Sequence, residues 1–294
     1  MKQTIKRIVI GILSLVLLAA AALHLIAVPA PDHPFFDQFE NYPLVIAHAG
    51  SELYPTDTLY ALENYADMGV DILEMDVHMT ADKQIILIHD HTVDRTTDGS
   101  GDVREMTLVE LQALDAGYYW TNDDGETYPF RDQGIVIPTL EEVFQTFPDY
   151  PMIIEIKQDS PSMEQELCSL LREYNMDGKV MIPSFSDTAM ARFRQACPET
   201  ATAASSGEVR DFVYRNFALM AGTISPQYYA LQVPEKSDGI PVVTRLLLFF
   251  AKWRNVQVHI WTINDPEQME RFIDMGVDGI MTDRTDLLLE ILGR

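Results

Sequence analysis

The sequence has little positive charge. Lys and Arg number 21 against 45 Asp and Glu, which gives a formal net charge of −24 over 294 residues. A protein that binds nucleic acid must neutralise phosphates with a basic face, and this chain has too few cations to make a large one. We therefore expect no nucleic-acid partner. Most of this surface would repel an anionic substrate, which would need local positive charge, such as a metal ion, at its site.

Cysteine is scarce, and the glycine-rich nucleotide-binding motifs are absent. Cys168 and Cys197 lie in neither a CxxC nor a Cys/His zinc spacing. They would form a disulfide if the domain lay outside the cell, but a domain of this size needs no such crosslink, so we expect two thiols. The sequence contains no GxGxxG or Walker motif, which argues against a nucleotide-binding fold.

Long apolar runs are confined to the amino terminus. Residues 8–28 are interrupted by a less apolar residue at only three positions. As a helix they would span about 30 Å, the thickness of a bilayer core. The basic residues before this run are Lys2, Lys6 and Arg7. We predict that residues 1–28 form a transmembrane anchor, with a cleaved signal peptide as the alternative.

The basic flank also predicts how the chain is oriented. Because positive charge stays in the cytoplasm, the rest of the chain should emerge on the outer side. We therefore expect a single-pass protein of the cell membrane with its large domain on the extracytoplasmic side. Residues 29–43 are rich in proline, and we predict that they form a stiff spacer between membrane and domain.

From residue 44 onward, short β-rich runs alternate with amphipathic helical stretches. The runs are residues 44–49, 71–79, 84–90, 151–157, 179–185, 200–205, 228–234, 256–263 and 279–283. This alternation predicts a mainly parallel sheet. About eight such units in roughly 250 residues fit a TIM (β/α)8 barrel better than an open doubly wound sheet. We predict one α/β barrel domain over residues 44–294, preceded by the transmembrane helix.

One connection between runs is too short for a parallel crossover. Only four residues separate the second run from the third, whereas a crossover needs a dozen or more, so the two must form an antiparallel hairpin. Direct pairing of its ends would place Glu74 nearly opposite His89. Alternation puts Glu74 and Asp76 on one face. His78 shares that face but lies toward the hairpin tip, and we expect it to be exposed.

Several polar side chains lie in or at the ends of strands that should be apolar. They are His48, Glu74, Asp76, His89, Glu155 and Lys157. Buried charge is unfavourable unless it is paired or binds a metal. The three acids come from two strands and form an all-oxygen site, which suits Ca²⁺ or Mg²⁺ rather than zinc or copper. Taken singly, Glu155 and Lys157 could be a structural ion pair, and His48 a core histidine.

Nine motifs follow one another between residues 44 and 290. They are VIAHAG (45–50), PTDTLYAL (55–62), ILEMDVHMTADKQIILIHD (72–90), DRTTDGSG (94–101), IPTLEEVF (137–144), IIEIK (153–157), SF (184–185), WTIN (261–264) and GVDGIMTD (276–283). In this order they resemble the glycerophosphodiester phosphodiesterase family, as a membrane-anchored bacterial-type member. The phrase LDAGYYW (114–120) is similar to bacterial members related to lysophospholipase D-type enzymes.

The resemblance implies a TIM barrel with metal-dependent hydrolysis of glycerophosphodiesters to sn-glycerol 3-phosphate and an alcohol. The matching positions are Glu74, Asp76 and Glu155 for a divalent cation, Ca²⁺ or Mg²⁺, His48 and His89 for the general acid and base, and Lys157 and Trp261 for the phosphate and substrate. The expected partners are a small-molecule or lysolipid phosphodiester and the membrane that holds the anchor.

Two positions depart from the family pattern. Ala49 stands where the family has an arginine that helps to bind the phosphate, and Asp57 stands where it has an asparagine. Ala49 cannot bind the phosphate, while Asp57 would add either a metal ligand or a like charge. Two alternatives therefore stay open beside the main prediction: lysophospholipase D-type hydrolysis of lysophospholipids, and a catalytically weak, membrane-tethered binding module.

Overall fold

The computed structural model describes residue 7, residues 22–49 and residues 52–294. The strands are β1 (Leu44–Ala47), β2 (Ile72–Met79), β3 (Ile85–Leu87), β4 (Met152–Ile156), β5 (Val180–Ile182), β6 (Ala201–Thr202), β7 (Ala230–Pro234), β8 (Lys236–Ser237), β9 (Ile240–Pro241), β10 (Gln257–Trp261) and β11 (Gly279–Thr282). The α-helices are α1 (Pro34–Asp37), α2 (Leu59–Met68), α3 (Leu108–Gln112), α4 (Leu140–Thr146), α5 (Glu164–Glu173), α6 (Asp187–Ala196), α7 (Ser206–Phe217), α8 (Arg245–Trp253), α9 (Pro266–Met275) and α10 (Thr285–Leu292).

Parallel strands close into a barrel in the part of the chain that the structure describes. Their order around the barrel is β1, β2, β4, β5, β6, β7, β10 and β11, and β11 pairs back with β1. The last gap, between β6 and β7, is closed by an isolated parallel bridge from Ala203 to Ala230. The predicted TIM-like (β/α)8 architecture is therefore confirmed.

Many helices begin where the sequence supplies a capping side chain. The residues Thr58, Thr139, Ser186, Thr244 and Asp265 each accept a hydrogen bond from the first turn of the helix that follows. Such caps satisfy backbone donors that the helix itself leaves unpaired. α2, α9 and α10 end at glycines in the left-handed conformation, which favours a residue without Cβ. The local sequence thus determines where many of the helices begin and end.

The hairpin prediction is confirmed, but its register differs by one residue. β3 pairs antiparallel with β2, with Met79 opposite Ile85, and the Ile88 amide donates to the Asp76 carbonyl at 2.9 Å. Glu74 is therefore not opposite His89, because the turn holds one more residue than direct pairing assumes. The expectation that His78 is exposed is wrong: only 3% of it is accessible, because β3 and the chain after it cover the tip.

The barrel interior is apolar at one end and polar at the other. On β2, Ile72 faces the interior cluster, and Glu74 and Asp76 follow on the same face. On β4, Ile153 and Glu155 repeat this order. Because parallel strands run in one direction, their charged residues collect at the carboxyl end of the barrel, where such folds carry their active sites.

Residues 29–43 close the opposite, amino-terminal end. His33 caps α1 by accepting a hydrogen bond from the Phe35 amide at 3.1 Å. The Phe35 ring is fully buried in the interior cluster. The Ala30 amide donates to the Arg254 carbonyl at 2.8 Å. These residues are packed against the barrel because their aromatic side chains fill its open end, and their role as a stiff spacer to a membrane stays a prediction.

A disulfide joins Cys168 in α5 to Cys197 at the end of α6. The expectation of two thiols is therefore wrong. The two helices pack side by side and bring the Cα atoms within 5.6 Å of each other, a usual separation for a disulfide. Sequence spacing alone does not reveal such a contact between neighbouring helices.

The predicted membrane anchor, residues 1–28, lies mostly outside the described residues. Among the residues that are described, none of the helices combines the length and the apolar character needed to cross a bilayer. The described end of the segment, from residue 22, continues directly into the residues that close the amino-terminal end of the barrel.

Candidate active site

A cavity of about 710 Å³ opens at the carboxyl end of the barrel. The predicted site residues that line it are His48, Glu74, His89, Glu155, Lys157 and Trp261. The seventh, Asp76, lines an adjoining cavity of about 290 Å³ together with His48 and His89. The structure thus brings all seven predicted site residues together.

Three carboxylates converge where β2 and β4 lie side by side. One oxygen from each of Glu74, Asp76 and Glu155 lies within 4.8 Å of the other two. Asp76 and Glu155 are direct register partners on the two strands, so the parallel pairing itself sets their separation. The predicted convergence is confirmed as geometry, and a group of this kind could hold one metal ion.

Lys157 follows β4 and places its ammonium among these acids. Its Nζ lies 3.0 Å from Asp76 Oδ1 and 3.1 Å from Glu155 Oε2. Burial alone would lower the pKa of Lys157, but the neighbouring carboxylates raise it above its ordinary value. The lysine therefore stays charged and offsets part of the negative charge of the cluster.

The acids remain crowded even beside this lysine. Burial and the charge of Asp76 raise the pKa of Glu74 to about 8 and that of Glu155 to about 7. The carboxyl of Asp57 is also buried there, accepts a hydrogen bond from the Asp76 amide at 3.1 Å, and has a pKa well above its usual range for the same reasons. Such shifts mark a site that lacks positive charge.

The donor set fits a hard divalent cation. Asp76 Oδ1 is buried and lies 3.0 Å from the Lys157 ammonium, its ion-pair partner among the described residues. All three converging groups offer oxygen, which Ca²⁺ and Mg²⁺ prefer. Asp57 lies beside this group rather than within the set of converging ligand atoms.

His48, directly after β1, is held by a network that the sequence analysis missed. Its Nδ1 lies 2.7 Å from Asp283 Oδ1, and Asn264 donates to Asp283 Oδ2 at 2.7 Å. Burial alone would lower the pKa of His48, but the hydrogen bond with Asp283 and the charge of Glu74 raise it to about 9. Asp283 carries the same signal as the predicted residues, since it is an acid that directly follows an apolar strand.

His89 is oriented from the other side of the cavity. Its Nδ1 lies 2.7 Å from Asp90 Oδ1, and Arg95 Nε donates to Asp90 Oδ2 at 2.6 Å. This guanidinium lowers the pKa of Asp90 to about 2. His89 therefore keeps a charged partner on one ring nitrogen, while the other nitrogen is left for a substrate.

Aromatic side chains form another part of the cavity wall. Trp261, at the end of β10, packs edge-on against Phe185 with ring centroids 5.8 Å apart. Phe185 follows β5 and is 56% exposed, and the Lys157 ammonium lies 5.9 Å from the centre of its ring. This wall offers an apolar surface beside the charged cluster.

Ala49, which replaces an expected arginine, contributes its backbone instead of a side chain. Its amide donates to Glu74 Oε2 at 2.8 Å and fixes that carboxylate. The methyl group lines the smaller cavity beside Thr56 and Arg95. Arg95, from the chain after β3, lines the same small cavity.

The fold and the site together define a barrel enzyme whose cavity is built for acid–base chemistry on a phosphate ester. A sequence profile of the glycerophosphoryl diester phosphodiesterase family matches residues 48–287. A glycerophosphodiester phosphodiesterase of Caldanaerobacter subterraneus is 33% identical over 257 residues, spanning 85% of this chain and 97% of that protein. The chain belongs to the glycerophosphoryl diester phosphodiesterase family.

Solved structures agree with this fold. A glycerophosphoryl diester phosphodiesterase domain from Mycobacterium tuberculosis superposes with a TM-score of 0.74 at 19% identity, covering 86% of this chain and 100% of that one. An Oleispira antarctica phosphodiesterase in complex with the product sn-glycerol-3-phosphate gives a TM-score of 0.66 at 22% identity, covering 86% and 97%. At these identities the structures support the fold alone.

Proposed function

We propose that this protein hydrolyses glycerophosphodiesters to sn-glycerol 3-phosphate and an alcohol with the help of a divalent cation. The observation that carries the proposal is the meeting, at the carboxyl end of the barrel, of three carboxylates, a charged lysine and two oriented imidazoles. Membership of the family and the intact set of these side chains both favour an enzyme over a binding module.

His48 and His89 are suited to move the two protons of the reaction. With a pKa of about 9 beside Asp283, His48 carries a proton at neutral pH and can give it to the leaving oxygen. His89, held through Nδ1 by Asp90, can take the proton of the attacking oxygen on its other nitrogen. Imidazoles placed in this way commonly contribute about 10²–10⁴-fold to a rate.

Glu74, Asp76 and Glu155 would hold the cation, which would supply charge stabilisation for the phosphate oxygens. Lys157 binds the phosphate from the side of β4. Because Ala49 offers no guanidinium, we expect Lys157 to carry more of the anion binding than in relatives with an arginine there. The oxygen ligands favour Ca²⁺ or Mg²⁺.

The direct test is release of sn-glycerol 3-phosphate from glycerophosphocholine by the purified protein. We expect turnover with Ca²⁺ or Mg²⁺, and its loss after chelation. Glu155→Gln should abolish turnover, whereas Glu141→Gln, an exposed glutamate on α4, should not. Full activity in chelator would contradict metal dependence, and no product under any condition would contradict the activity itself.

Lysophospholipase D-type hydrolysis is a second candidate, favoured by the apolar part of the cavity wall. Pro183, Phe185, Val209 and Pro234 line it and could contact an acyl chain. The test is choline release from lysophosphatidylcholine measured beside release from glycerophosphocholine. A much higher kcat/KM for the acylated compound would make lysolipids the principal substrate, and no release from it would exclude them.

We further propose that the amino-terminal apolar segment tethers the protein to the cell membrane, with the barrel on the extracytoplasmic side. Two things support this: the apolar run with its basic flank, and the disulfide, which is typical of oxidising compartments. The segment would join the barrel through residues 22–30, where the His24 ring stacks on Trp253 at 5.4 Å and Arg254 donates to the Ala27 carbonyl at 2.9 Å.

These contacts lie between the end of α8 and the start of β10. This connection is at the end of the barrel opposite the cavity. A tether there would turn the cavity away from the bilayer, so the substrate would arrive from water. The test is vesicle flotation and alkaline extraction of the full chain, with amino-terminal sequencing of the protein purified from cells. A mature protein that lacks residues 1–28 would show a cleaved leader instead.

A further inference from the structure

An unpaired guanidinium stands at the mouth of the catalytic cavity. Arg210 lies in the second turn of α7, lines the cavity and is exposed. Its side chain makes no hydrogen bond or ion pair with any residue that the structure describes. In a chain with a net charge of −24, a guanidinium that pairs with no described residue at this position could bind an anionic group of a ligand.

The acids near Arg210 are engaged elsewhere. Glu208 binds Arg194 through both carboxylate oxygens, at 2.7 and 2.8 Å. Asp187 accepts from the Gly207 amide at 2.8 Å, and its pKa is lowered first by hydrogen bonds from Ser205 and Gly207 and then by the charge of Arg210. Arg210 therefore lines the cavity without a hydrogen-bonded or ion-paired partner among the described residues.

Arg210 stands across the barrel from His48 and Ala49. His48 follows β1, and α7 follows β6, which is the fourth strand away from β1 in either direction around the ring. With strands about 4.8 Å apart and tilted, an eight-stranded barrel is roughly 15 Å across. Arg210 is thus too remote to replace the arginine missing at Ala49, and it would meet a different part of the substrate.

A second donor lies on the same side of the cavity. Gln232 of β7 lines the cavity, and its Nε2 is buried and donates to no described residue. A buried amide donor without an acceptor is unfavourable unless water or a ligand satisfies it. Between these donors and the carboxylate cluster, Phe185 provides an apolar surface that the connecting atoms of a substrate can cross.

We propose that Arg210, with Gln232, forms a subsite for a second negatively charged group on the alcohol side of the diester. The substrate class is then a glycerophosphodiester whose alcohol carries a carboxylate or a further phosphate, several bonds from the reacting phosphorus. This inference rests on the proposed phosphodiesterase activity. Arg210 contributes binding and selectivity, while the proton transfers stay with the two histidines.

The experiment compares three probes: glycerophosphocholine, whose alcohol is cationic, glycerophosphoserine, which carries a carboxylate, and bis(glycerophospho)glycerol, which carries a second phosphate. Arg210→Gln should raise KM for at least one anionic probe by about 10- to 100-fold, as expected for loss of a charge-assisted hydrogen bond. The constants for glycerophosphocholine should change little, and Arg210→Lys should recover part of the loss. The probe with the larger change identifies carboxylate or phosphate.

Arg215→Gln is the matched control, because this arginine lies on the same helix but pairs with Asp211 at 2.9 Å. It should leave all three probes unchanged. An equal effect of Arg210→Gln on all probes, or no effect on any, overturns the subsite while the activity stands. If the wild-type protein hydrolyses none of the probes, the phosphodiesterase function fails, and the subsite fails with it.

Discussion

The two ends of the barrel are built from the same strands, but one end is apolar and the other is charged. At the amino-terminal end, Phe35 closes an interior of Leu44, Ile72 and Ile153, all with no exposed surface. At the carboxyl end, the same strand faces continue into carboxylates, a lysine and imidazoles around an open cavity. Along β2, the face that points into the barrel changes from apolar to charged between Ile72 and Glu74, which are successive residues on that face.

Because of this difference, the residues that stabilise the fold lie at one end of the barrel axis and the residues expected to act in catalysis lie at the other. Burial of apolar surface stabilises the closed end, while the cavity end holds raised carboxyl pKa values and buried polar atoms that have no partner among the described residues, both of which reduce stability. Substitutions at one end should therefore affect mainly turnover, and those at the other mainly unfolding.

The largest effect is expected at the cavity end. Replacing His89 by Ala should lower kcat by about 10²–10⁴-fold, because a proton acceptor is lost. The melting temperature should change little, since the side chain is 49% exposed. His91→Ala, an exposed histidine two residues away, is the control and should keep its activity. Near-normal turnover in His89→Ala would show that His89 is structural.

At the closed end, Phe35→Ala should lower the free energy of unfolding by about 3–5 kcal/mol, the usual loss for a buried phenylalanine. The kcat/KM of the folded protein should remain near that of the wild type. Phe36→Ala, at a half-buried ring in contact with the same cluster, should lose less. A selective loss of turnover without loss of stability would mean that the two ends are coupled. Denaturant unfolding and steady-state kinetics measure the two quantities.

A third effect concerns pH and the metal. Glu74 and Glu155 ordinarily titrate near 4.5 but have a pKa of about 8 and 7 in the folded protein. Between those values the folded state binds more protons than the unfolded chain, so metal-free protein should lose stability as pH rises from 5 to 8. Ca²⁺ or Mg²⁺ should raise the melting temperature more at pH 8 than at pH 5.

Glu74→Gln provides the internal comparison for that experiment. The substitution removes one of the acids that take up a proton on folding. The melting temperature of the variant in chelator should therefore depend less on pH, and Ca²⁺ or Mg²⁺ should raise that temperature less than in the wild type. A chelated wild-type protein whose melting temperature is flat from pH 5 to pH 8 would contradict the crowding of acids at the cavity end.

The smallest effect is a shift in one proton equilibrium. Asp283→Asn removes the carboxylate that raises the pKa of His48 to about 9, so this pKa should fall. The imidazole proton resonances of His48, followed by NMR across pH, measure it. Asp286→Asn, which breaks only the ion pair with Arg284, should leave it unchanged. An unchanged pKa of His48 in Asp283→Asn would show that the charge of Asp283 does not act on the His48 ring.

Much of the architecture could be predicted from local patterns. Alternation of strands and helices indicates the parallel barrel, and acids or histidines at the ends of apolar runs indicate the site. Both signals depend only on residue order, because every parallel strand delivers its end to the same side of the sheet. The convergence of Glu74, Asp76 and Glu155 therefore follows from sequence reasoning alone.

Features that depend on particular partners were not predictable in this way. The hairpin register shifts by one residue because of its turn, and the Cys168–Cys197 disulfide depends on how α5 lies against α6. Asn264 acts on His48 only through Asp283. The packing of Phe35 into the barrel requires an opening of the right size, and no periodicity in residues 29–43 indicates it.

The seam between β6 and β7 has a consequence for slow motions. β2 and β4 share five register pairs, whereas β6 and β7 are joined by the Ala203–Ala230 bridge and hydrogen bonds such as that from the Tyr229 amide to the Thr202 carbonyl, at 2.9 Å. Hydrogen exchange should therefore report the earliest opening of the ring there. That seam lies beside α7, so its opening would widen the cavity in front of Arg210.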